Sequence, residues 1–102
     1  MKLTLVRYKT KPEKTQENAQ LIEKVFQELS ATTPAGVRYV ALALDDGMFV
    51  HFSAVESEGG ANPIPRLAAF QAFQSGIKER CIEPPRVSQA TVVGDFRMLG
   101  PR

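Results

Sequence analysis

The chain has 102 residues, 43% apolar and 24% charged, with a net charge of +2 and a pI near 8.9. Those values fit one small globular domain over residues 1–102, and the charge is too small to demand a polyanionic partner. A lone cysteine, Cys81, excludes an internal disulfide, and no Cys/His cluster is present for zinc.

The opening MKLTLVRYK alternates and carries charge by Arg7, so it reads as a strand over Lys2–Lys9 rather than a leader. No apolar run approaches the ~20 residues of a membrane span, and the expectation is a cytoplasmic protein. Thr10-Lys11-Pro12-Glu13 has the form of a capping box, Thr at the N-cap and Glu three positions on. The helix it opens carries Ala19, Ile22, Val25, Phe26 and Leu29 as an apolar stripe and stops near Ser30–Thr32. Next comes a hairpin, Val37–Val55, around Asp45-Asp46-Gly47. A loop follows over Glu56–Pro65; its Gly59-Gly60 lacks phosphate-loop spacing and reads as a linker or a lid. A second helix is expected over Arg66–Cys81, bent at Gly76 and ended by Glu83-Pro84-Pro85, with a last strand over Val87–Arg97.

The order βαββαβ predicts an α+β, ferredoxin-like sandwich: an antiparallel sheet with two helices on one face. The hairpin turn sets the register. If Leu44 lies opposite Met48, a three-residue turn with left-handed Gly47 pairs Val40 with Phe52, Leu42 with Val50, Tyr39 with Ser53, Ala41 with His51, and Ala43 with Phe49. A one-residue slip would mix the two faces. The wholly apolar set (Val40, Leu42, Leu44, Met48, Val50, Phe52 and Ala54, with Leu3, Leu5, Ala90 and Val92) is expected under the helices. The mixed set holds Thr4, Val6, Tyr8, Tyr39, Ala41, Phe49, His51, Ser53, Gln89, Thr91 and Val93. It is expected to face a second copy of the chain, enclosing a lined cavity.

In length, element order and a sheet face needing a cover, residues Lys2–Arg97 resemble the dimeric α+β barrel superfamily. The stretches NPIPRLAAFQAF and GIKERCIEPP resemble those of small bacterial members of the antibiotic-biosynthesis-monooxygenase-like kind. The resemblance implies a homodimer binding a small aromatic or quinol-like molecule, with no cofactor and no metal, and in its sharper form a cofactor-independent monooxygenase. Haem-degrading members use an Asn/Trp/His set, which this chain, without Trp and with its one histidine on a strand, does not match.

Within that frame His51 is the candidate base, since imidazole titrates near neutrality. Tyr8 and Tyr39 are candidate hydrogen-bonding groups, Phe49 a stacking wall, and Thr91 a further lining residue. The alternative is a non-catalytic dimerisation or ligand-sensing module in which the same residues only pack. Phe49-Val50-His51-Phe52 also matches the F-V-x-F end of an RNA-recognition motif. The preceding Asp45-Asp46-Gly47-Met48 and Thr4 depart from it, which makes nucleic acid an unfavoured partner. Cys81 beside Arg80 reads as a small buried contact rather than a reactive thiol.

Overall fold

The computed structural model describes residues 1–56 and 62–99. Strand β1 (Lys2–Thr10) leads through a short 3-10 helix, Pro12–Lys14, into α1 (Thr15–Thr32); β2 (Val37–Ala43) and β3 (Met48–Val55) form the hairpin. Helices α2 (Ala68–Gln74) and α3 (Ile77–Arg80) precede β4 (Cys81–Gln89). The four strands lie in the order β2-β3-β1-β4, all neighbours antiparallel. This is the ferredoxin-like α+β arrangement expected from the element order. Among the described residues no helix is long and apolar enough to cross a membrane.

The hairpin register is the expected one: Val40 opposes Phe52, Leu42 Val50, Ala41 His51, and Ala43 Phe49. The Leu44 N–H donates to the Met48 carbonyl at 2.8 Å, and Gly47 takes a φ of +88°, which only glycine adopts cheaply. Asp46 closes the turn by accepting the Met48 N–H at 3.0 Å.

The two faces are exchanged relative to expectation. The core beneath α1 and α2 is built on Tyr8 and Phe49, with Val6, Tyr39 and Ala41 packed against it; Ile22, Val25, Leu67 and Phe73 close it from the helices. Val40, Leu42 and Leu44, assigned to the core by their apolarity, lie exposed on the outer face, Leu42 at 53%. One end of that outer face is covered: Leu3 and Leu99 are buried, and both line a pocket with Phe52 and the segment from Ala90 to Met98.

Three local expectations also shift. The capping box does not form. The Thr10 hydroxyl bonds Thr15 Oγ1 and the Gly47 carbonyl instead, and α1 begins without a side-chain cap. The second helix breaks after Gln74, because Gly76 enters the left-handed region at φ +75° and starts the separate turn α3. The last strand starts at Cys81 rather than Val87 and runs through Pro84-Pro85. Prolines are tolerated there because β4 is an edge strand, and its pairing with β1 carries register shifts at Lys9. Helix α2 has no cap of its own; Glu28 reaches across from α1, its carboxylate accepting the Ala69 N–H at 2.8 Å and the Ala68 N–H at 3.3 Å.

Candidate ligand site

Strand alternation places Tyr8 on β1, Tyr39 on β2 and His51 on β3 on the same face, and pairing brings them side by side. His51 is buried, and both its ring nitrogens are engaged: Nε2 with the Tyr8 hydroxyl at 2.8 Å and Nδ1 with the Tyr39 hydroxyl at 2.7 Å. Two residues that sequence reading passed over extend the chain inward. Asn18 Nδ2 of α1 donates to the Tyr8 oxygen at 2.8 Å, and Arg80 Nε donates to Asn18 Oδ1 at 3.1 Å. Asn18 was hidden as one polar position in an amphipathic helix, and Arg80 as one of several cations near a helix end. The available signal was positional: Asn18 falls one residue before Ala19, inside the apolar arc.

Arg80 is buried, 4% exposed, and its remaining donors reach the carbonyls of Ser75 and Phe73, while its guanidinium lies 5.5 Å from the Phe73 ring centre. The Gly76 break turns the backbone so that those carbonyls are free to receive it. Among the described residues no carboxylate pairs with Arg80, and no buried side-chain polar atom lacks a partner. Its charge is therefore held by neutral dipoles and one aromatic face.

Burial sets the protonation states. It pulls the His51 pKa down to about 4 and pushes Tyr39 up to about 12. It also raises Tyr8 well above the ordinary phenol value, opposed in part by the Asn18 hydrogen bond and by Arg80. Desolvation raises the Cys81 thiol as well, with Arg80 and Lys11 opposing, so this buried cysteine is a packing residue rather than a nucleophile.

Tyr8, Tyr39 and His51 line a cavity of about 370 Å³ between sheet and helices, whose other walls include Val6, Phe70, Phe73, Ile77 and Val87. That volume suits a molecule of two or three fused rings. A wider, shallower groove of about 780 Å³ lies between α1 and β2 and shares only Tyr39 with it. We take the deeper of the two as the candidate site, because apolar walls and converging polar groups coincide there. Phe70 and Phe73 are its aromatic walls. Phe49 is not: it is 2% exposed and stacks on Tyr8 from behind, ring centres 5.4 Å apart. Thr91 lies elsewhere, exposed past the end of β4, beside the outer-face pocket with Leu3 and Phe52.

These positions revise the expected chemistry. An imidazole whose two nitrogens are occupied, and whose pKa is about 4, is not a free general base at neutral pH. With Phe49 buried beneath the helices, the base-stacking platform of an RNA-recognition motif is missing at that position. Among the described residues no group of three or more His, Cys, Asp or Glu side chains is arranged to hold a metal ion.

No family model matches the sequence, and no curated protein matches it significantly. Solved structures do. A Nitrosomonas europaea protein provisionally named an antibiotic biosynthesis monooxygenase superposes with a TM-score of 0.73 at 18% identity, over 90% of this chain and 89% of that one. The chain has the fold of the antibiotic-biosynthesis-monooxygenase-like proteins. A Caulobacter crescentus protein of the same provisional name aligns at a TM-score of 0.73 and 14% identity, over 91% of this chain and 90% of its own. A Mycobacterium tuberculosis protein aligns at 0.73 and 16% identity, over 92% of this chain and 96% of its own. The similarity spans about nine-tenths or more of each chain.

Proposed function

We propose that this protein is a homodimer that binds a small, flat, largely aromatic molecule bearing an oxygen substituent in the cavity between its sheet and helices. One observation carries the reading. In a 370 Å³ cavity with mostly aromatic and aliphatic walls, Tyr8, His51 and Tyr39 are three members of one hydrogen-bonded set, and the exposed Gln74 is the remaining polar side chain of the lining. Such a site offers hydrophobic contact for rings and one polar anchor for orientation. The dimer reading is supported by the outer sheet face, where Val40, Leu42 and Leu44 are exposed together. A second copy related by two-fold symmetry would cover them, leaving the cavities on the far side of each sheet.

The activity to seek is oxygenation of such a molecule without a cofactor; several proteins of the same fold are provisionally named antibiotic biosynthesis monooxygenases. Tyr39 would touch the substrate, and His51 would hold Tyr39. The rival reading is a non-catalytic ligand-sensing module using the same cavity. Oxygen uptake and quinol turnover separate the two. Wild type is expected to raise its melting temperature with a naphthalene-sized quinol and, as an enzyme, to consume oxygen with it. Tyr39→Phe would keep the fold and lose most turnover. A melting temperature unmoved by any quinol, phenol or quinone would sink the cavity reading; binding with no oxygen uptake would leave the sensing module.

A further inference from the structure

The hydrogen bonds in the site admit only one direction. Arginine has donors and no acceptors, so its Nε–H must face Asn18 Oδ1, which fixes which way the Asn18 amide points. The amide nitrogen then donates to the Tyr8 oxygen, and the one proton of Tyr8 goes to His51 Nε2. With Nε2 accepting, the proton of a neutral His51 sits on Nδ1 and is donated to the Tyr39 oxygen. The reverse tautomer would aim two donors at Tyr8 and strand the phenol proton in a buried site, a cost of several-fold to a hundredfold in stability. Tyr39 is the last link. Its oxygen is already accepting, no second partner for it exists among the described residues, and its own O–H is the donor left over at the cavity end of the series.

We propose that the site selects its ligand by an acceptor oxygen, a carbonyl or a phenolate, which takes the spare proton of the Tyr39 hydroxyl in a hydrogen bond, and that Arg80 fixes this polarity from 62 residues along the chain from Asn18. Each bond in the series points away from a buried cation that, among the described residues, pairs with no carboxylate. Every donor is thus polarised toward the cavity, and negative charge on the ligand oxygen is favoured. A ligand presenting only a donor, such as an amine N–H, meets an oxygen already occupied by His51. Arg80, Asn18, Tyr8 and His51 are positioning residues in this arrangement, and Tyr39 alone touches ligand through its hydroxyl. The inference rests on the cavity being a ligand site, and the two can fail separately.

Two measurements on the full chain test it. Nitrogen NMR of the single histidine at neutral pH is expected to show a protonated Nδ1 and a bare, pyridine-like Nε2. The reverse tautomer, or an imidazolium, overturns the proposal whether or not any ligand binds. Fluorenone and fluorene, one ring skeleton with and without a carbonyl, then probe the cavity by equilibrium dialysis. Tyr39→Phe is expected to weaken fluorenone binding by about tenfold, the worth of one hydrogen bond, and to leave fluorene within about twofold. Equal losses for both probes, or no loss for fluorenone, overturn the polarity. If neither probe binds while the tautomer is as expected, the ligand-site reading itself fails and takes the ligand class with it.

Discussion

The sheet has one mixed face and one largely apolar face, and their fates are the reverse of their hydrophobicity. The helix side holds Tyr8, Tyr39, His51 and Phe49 around a polar thread to Arg80; the outer side holds Leu5, Val40, Leu42, Val50 and Phe52 and is left partly bare. A ranking by hydrophobicity would bury the second and expose the first. The lesson is that a tyrosine or histidine is buried at little cost when its polar atoms find fixed partners, and Asn18 and Arg80 are those partners.

The sharpest way to break this comparison is to truncate one residue from each face. Phe49→Ala should cost about 3–5 kcal/mol by urea unfolding, while Val40→Ala at the exposed position should cost under about 1. Comparable losses would mean that the outer face is covered as thoroughly as the core. Acid should act on the helix side through His51. Its folded pKa, about 4, lies below the ordinary 6.5, so the unfolded chain binds the extra proton. The His51 contribution is complete above pH 6.5 and disappears as pH falls toward 4, up to about 3 kcal/mol in all. A His51→Gln variant should lack this component in unfolding curves at pH 7.5 and 4.5; a wild type that loses no more than the variant refutes it.

For the outer face, Leu42→Asp should convert a dimer to a monomer by sedimentation at micromolar concentration while leaving far-ultraviolet circular dichroism unchanged. A wild type already monomeric there would remove the partner from the argument. The mildest test concerns the lid of the helix side: Glu28→Gln should cost about 1 kcal/mol, as a lost helix cap does, and fray the first turn of α2 in hydrogen exchange.

What could be read from the chain was what is local. The Asp45-Asp46-Gly47 turn and strict alternation fixed the pairing of β2 with β3, and with it the company of Tyr39 and His51. Which face turns inward is not local, because it depends on side chains 62 residues apart meeting at Asn18 and Arg80. The strand through Pro84-Pro85 was missed for a related reason: a proline pair ends a helix or an inner strand, but not an edge whose missing N–H groups face no neighbour. Thr91 dropped out of the site with that strand, since an earlier start for β4 places residue 91 beyond its end.

The thread from Arg80 to Tyr39 draws one residue from β1, one from α1, one from each hairpin strand and one from the turn before β4. No half of the chain contains it. It should therefore assemble only at the last step of folding and come apart only on global unfolding, so that exchange of the Tyr8 and Tyr39 hydroxyl protons reports the stability of the whole domain. The cavity floor then belongs to the most cooperative part of the molecule, and a ligand entering it meets donors already set rather than a surface that must reorganise to receive it.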